Sequence, residues 1–73
     1  MSKLPVISGR ELVRVLARFG FVPDRQKGSH MILVRADPMT TLTVPDHREL
    51  DRGTLRAILR QADITPQQLV ETL

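Results

Sequence analysis

At 73 residues the chain has room for one domain and one small core, because a chain of this length buries only about 60% of the surface its unfolded form exposes; a cofactor-sized interior cavity is excluded. The absence of cysteine excludes disulfides and thiolate metal sites and fits a reducing compartment. The apolar share of 41% argues against disorder, and the net charge of +3 favours a polyanion or an acidic protein surface as partner.

The charge is unevenly placed. All 11 basic residues, nine of them arginine, lie within residues 1–60, whereas residues 61–73 hold only Asp63 and Glu71. No stretch approaches a membrane span, and Met1 to Arg10 hold no apolar run of signal-peptide length, so a cytoplasmic protein is expected.

Ser8-Gly9-Arg10-Glu11 has the pattern of a capping box, with Ser8 and Glu11 exchanging hydrogen bonds with each other's backbone. Leu12, Val15, Leu16 and Phe19 follow at the spacing of one helical face, and Gly20 closes the helix as a left-handed cap. Arg10, Arg14 and Arg18 fall four apart on another face.

A first strand is predicted from Phe21-Val22 to about Gln26, with Pro23 tolerable near a strand start or on an edge. Lys27-Gly28 is predicted as a two-residue hairpin loop, leading into a second strand over 29–35. Its alternation sorts His30, Ile32 and Val34 to one face and Ser29, Met31, Leu33 and Arg35 to the other. Because of Arg35 the second set is assigned to solvent. That places His30 at the rim of the core-facing side, partly sheltered, near the end of a helix. Asp37-Pro38 fits the first two positions of a type I turn, and a third strand over 40–44 has Leu42 and Val44 inward.

Asp46 to Glu49 is a polar loop. Asp51 or Thr54 caps a second helix with Leu55, Ile58, Leu59 and Ala62 on its apolar face and Arg52, Arg56 and Arg60 four apart elsewhere. Asp63 stands where a glycine cap is expected. Thr65-Pro66-Gln67-Gln68 opens a last short helix, docked by Leu69, Val70 and Leu73. The order is α-β-β-β-α plus a short C-terminal helix. It predicts an α+β fold with two helices on one face of a three-stranded antiparallel sheet.

Lys27-Gly28-Ser29-His30 is the candidate reactive stretch. Imidazole is the one side chain whose unperturbed pKa lies near neutrality. Ser29 points to the opposite face by the period argument and is assigned no chemistry. A metal site built on His30 and His47 has no helical spacing behind it.

These residues resemble the HicA-type toxins, small ribonucleases of toxin–antitoxin pairs. The likeness covers nearly the whole of residues 1–73, taken as one domain. It rests on Gly20-Phe21 ending the first helix, on Lys27-Gly28-Ser29-His30, and on Thr43-Val44-Pro45 with His47 close behind. Gly53-Thr54-Leu55-Arg56 leading into Ile58-Leu59-Arg60-Gln61-Ala62 completes it. The loop after His47 lacks the glycines often seen in the family, and Asp63 replaces another. The resemblance implies a fold like a double-stranded-RNA-binding domain and a metal-independent endoribonuclease acting on messenger RNA. It also implies a catalytic histidine at His30, no cofactor, and an antitoxin of the HicB type as partner. In such an enzyme His30 is the general base, with His47 as a candidate second acid. Lys27, Gly28, Arg52, Arg56 and Arg60 are candidates for the RNA backbone. The only aromatic residues, Phe19 and Phe21, are assigned to the core, so phosphate contacts should dominate affinity. The rival readings are a non-catalytic RNA-binding module and a small protein–protein adaptor.

Overall fold

The computed structural model describes residues 3–73. Its elements are α1 (Gly9–Ala17), β1 (Val22–Lys27), β2 (His30–Arg35), β3 (Thr40–Pro45), α2 (Arg52–Ala62) and α3 (Pro66–Thr72). The strands form one antiparallel sheet in the order β1-β2-β3. α1 packs against β1 and β3, and α2 against β3. This is the α+β arrangement that the residue pattern predicts.

The helix ends form where the capping residues place them. Ser8 accepts from the Glu11 N–H at 3.0 Å, while the Glu11 carboxylate accepts from the Ser8 N–H at 2.9 Å. Gly20 turns the chain out of α1 at φ 92°, a conformation that costs glycine little. Asp51 caps α2, accepting from the Thr54 N–H at 3.2 Å. Asp63 ends α2 in the left-handed region at φ 60°, ψ 43°. Thr65 and Gln68 form the second capping box, with Pro66 at the first position of α3. Leu12, Leu16, Phe21, Leu33, Leu42, Val44, Leu55 and Leu69 are buried at the centre of the core. Burial of this kind contributes roughly 1.5–3 kcal/mol per large apolar side chain.

The structure reverses the faces assigned to β2. Leu33 pairs with Leu42 and Met31 with Val44; both leucines and Val44 are fully buried, and Met31 packs against the core. The inward face is therefore Met31, Leu33 and Arg35, and His30, Ile32 and Val34 lie on the outer face, which no described helix covers. Arg35 misled the assignment because an arginine stem can lie along apolar surface while its head finds polar partners. Its guanidinium carbon sits 4.3 Å from the centre of the Phe21 ring. It donates to the carbonyls of Phe19 at 3.1 Å and Ala62 at 3.4 Å, at the C-terminal ends of α1 and α2.

Smaller differences follow. The hairpin loop is Gly28-Ser29, one residue later than predicted, because Lys27 and His30 pair with each other. Gly28 takes φ 59° at the first loop position, where a type II′ turn calls for glycine. Asp37-Pro38 lies in the turn between β2 and β3, with Asp37 at φ 64° and a cis bond to Pro38. Of the residues assigned to dock α3 only Leu69 is buried; Val70 and Leu73 are about half exposed.

Candidate active site

The hairpin end of the sheet gathers Lys27, Gly28, Ser29, His30, Pro45, Asp46 and His47. Cross-strand partners in an antiparallel sheet point to the same face, so Lys27, His30 and Pro45 form one row on the outer side. Arg25, Ile32 and Thr43 form the next row. His30 and Lys27 are exposed.

Lys27 reaches this face because β1 is bulged. The register shifts between Pro23 and Arg25, leaving Asp24 as an extra residue. Val22 pairs with Val34 and so points outward. Unbroken alternation from Val22 would send Arg25 and Lys27 toward the helices; the extra residue reverses the phase and sends them outward. A bulge carries no clear sequence signal, and Arg25 was accordingly missed as a neighbour of the site.

The turn is braced from two sides. The Asp46 N–H donates to the Ser29 carbonyl at 2.6 Å. The Gln26 amide donates to the Gly28 carbonyl at 3.0 Å. Asp46 also joins this end to α1, its carboxylate accepting from Arg10 Nε at 3.1 Å and from a second Arg10 nitrogen at 3.2 Å. The forked bond and the adjacent positive charge hold the Asp46 carboxyl below the usual carboxylate range. The Ser8 N–H and then the Ser8 hydroxyl do the same for Glu11. The Gly9 N–H donates to the His47 carbonyl at 2.9 Å. Gly9 lies so close to β3 that a Cβ there would stand 2.0 Å from the Pro45 oxygen. Asp46, Arg10, Gln26 and Gly9 are thus the supporting residues that pattern reading passed over. Only Gly9, a glycine in the first turn of a helix, carried a signal.

His47 is exposed at the same end as His30, two residues beyond the partner of His30. Arg52, Arg56 and Arg60 are also exposed, but they belong to the helix layer on the other side of the sheet. Arg35 binds the Ala62 carbonyl, so the C-terminal end of α2 lies at the end of β2 remote from His30. Six strand residues put those ends about 17 Å apart. Lys27 and Gly28 therefore lie beside His30, and Arg60, in the last turn of α2, is remote from it, whereas Arg52 opens α2 five residues after His47. Among the described residues no group of three or more His, Cys, Asp or Glu is placed to hold a metal ion. No described helix is long and apolar enough to cross a membrane.

No curated protein matches the chain. The family model described as the HicA toxin of bacterial toxin–antitoxin matches residues 9–64, which include both main helices, the whole sheet and the hairpin that carries His30. The chain belongs to the HicA toxin family and is the toxin component of a toxin–antitoxin system.

Proposed function

We propose that this toxin is a cytoplasmic endoribonuclease that cleaves messenger RNA with His30 as general base, the described fold acting as one catalytic unit. The observation that carries the reading is the exposed Lys27–His30 pair on an uncovered sheet face, set on a braced turn. His30 takes the proton from a ribose 2′-hydroxyl, and the freed oxygen attacks the adjacent phosphorus. The bond to the 5′-oxygen breaks, leaving a 2′,3′-cyclic phosphate. The leaving oxygen takes a proton from an acid, for which His47 is the candidate at the same end of the sheet. Lys27 and the N–H groups of the turn steady the charge on phosphorus. A positioned base contributes roughly 10²–10⁴ in rate.

The test is incubation of labelled single-stranded RNA with the purified toxin in chelator, beside His30→Ala. Cleavage by the wild type alone supports the assignment. Binding without cleavage would favour an RNA-binding module of the same fold.

The partner is an antitoxin, which we take to be of the HicB type and to act by covering Lys27 to His30. To reach the Arg52-Arg56-Arg60 stripe as well, it must wrap around the end of the sheet onto the helix layer. Hydrogen exchange should show protection of residues 27–33 in the complex; loss of activity with those amides unchanged would require another mode of inhibition.

A further inference from the structure

On the helix side of the molecule lies an open groove of about 720 Å³. Its floor and walls are Pro5, Val6 and Ile7 of the N-terminal segment, Val15 and Ala17 of α1, and Leu73 at the end of α3. Two of these apolar residues are unusually bare: Val6 is 73% exposed and Leu73 54%. Glu11, Arg14 and Arg18 of α1 border the groove. With Val15 they follow the i, i+3, i+4, i+7 spacing of one helix face, about 10 Å of helix.

The polar groups at the groove differ in what they have left to offer. Glu11 is committed to the Ser8 N–H, and the Thr72 hydroxyl donates to the Gln68 carbonyl at 2.7 Å. Of the three arginines four apart on α1, Arg10 is taken by Asp46. Arg14 and Arg18 make no ion pair among the described residues. An apolar trough with two such cations on one rim matches a particular ligand chemistry: an amphipathic helix with an apolar ridge and acidic residues four apart beside it. A polar small molecule would need several converging donors or acceptors, which the groove does not supply. RNA phosphates would gain from the arginines but leave the apolar floor uncovered.

We infer that the groove bordered by Arg14 and Arg18 is a second attachment point for the antitoxin, occupied by an acidic amphipathic helix of that partner. It shares no residue with the hairpin that carries His30. The antitoxin would then hold the toxin by a contact that does not depend on the reactive face. This rests on membership of the toxin family and is independent of the ribonuclease reading.

The test measures affinity for the antitoxin of this system with wild-type toxin, with Arg14→Glu/Arg18→Glu, and with Val6→Asp. All three substituted side chains are exposed, and circular dichroism checks that each variant folds. Each variant should bind at least tenfold more weakly, with slower association for the charge reversal, while the free variants arrest growth as the wild type does. Hydrogen exchange on the wild-type complex should protect the amides of residues 14–18. Affinities within threefold of wild type with those amides unprotected would overturn the inference. So would arginine reversal that weakens binding of a single-stranded RNA oligonucleotide and spares the antitoxin, which would make the surface an RNA site. A wild-type dimer in sedimentation that the same changes dissociate would also overturn it, assigning the groove to a second copy.

Discussion

Lys27 and His30 face each other across the hairpin, on the side of the sheet that no described helix covers. Neither side chain supports the core, so the proposed chemistry and the stability of the fold separate at this pair.

His30→Ala should abolish RNA cleavage and toxicity while changing stability by less than about 0.5 kcal/mol, the usual range for surface positions. A cleavage assay and a thermal melt on the same preparation decide it. A folded variant that cuts at the wild-type rate would falsify the role given to His30.

Salt dependence distinguishes the two basic surfaces. Lys27→Gln should reduce the slope of log affinity against log salt by about 0.7 for a single strand, even for an RNA of a few nucleotides. Arg56→Gln/Arg60→Gln should leave that short RNA unaffected and lower the slope only for RNA long enough to reach the helix layer. An unchanged slope with long RNA would mean that the α2 stripe is merely solvated.

Gly9→Ala tests the junction between α1 and β3. In an open helix the change is favourable by up to about 1 kcal/mol. Here the new Cβ would meet the Pro45 carbonyl, and crowding of this sort costs about 1–3 kcal/mol. We expect a lower melting temperature and slower cleavage, since Pro45 is the cross-strand partner of His30. A stabilised variant would show that the junction yields easily.

Arg35→Ala removes the contact with Phe21 and the bonds to the Phe19 and Ala62 carbonyls. The expected loss is about 2 kcal/mol, from charged hydrogen bonds and a cation–π contact together. Arg35→Lys should recover less than half of it, because an ammonium lacks the fork that reaches two carbonyls. Chemical denaturation of both variants supplies the comparison. If alanine melts with the wild type, Arg35 is not a clamp.

Acid should loosen the site before it unfolds the core. The folded-state pKa values of Asp46 and Glu11 are depressed, so their contribution is present above the ordinary carboxylate range and is lost as pH falls through the lowered values. Amide exchange near Ser29 and at the start of α1 should accelerate in that acidic window. Asp46→Asn should already show part of the acceleration at neutral pH, since the forked ion pair with Arg10 is gone. Equal exchange in wild type and variant across the window would remove Asp46 from the supporting role.

The caps and the core faces of α1, α2 and β3 were readable because each depends on neighbours a few residues away. Ser8 with Glu11, Asp51 with Thr54, and Thr65 with Gln68 all bond across three positions. The outward face of β2 was misread because Arg35 was counted by its charge, whereas its stem lies in the core layer and its head serves two helix ends. Leu42 held the missing information: it was placed inward, and its cross-strand partner is Leu33. The bulge at Asp24 and the Arg10–Asp46 bridge were invisible for another reason. Both depend on where separate segments meet, and the bridge spans 36 positions.

The bare outer face also governs how a substrate can arrive. A cleft or tunnel makes a polymer enter by a free end; an open sheet makes no such demand. For the proposed ribonuclease, a folded or ribosome-bound message could lie across Lys27 and His30 at any accessible point, and both fragments could diffuse away without a gate having to open. The same openness leaves water at the reacting phosphate, so the proposed chemistry must rely on the placement of its few groups rather than on a sealed chamber.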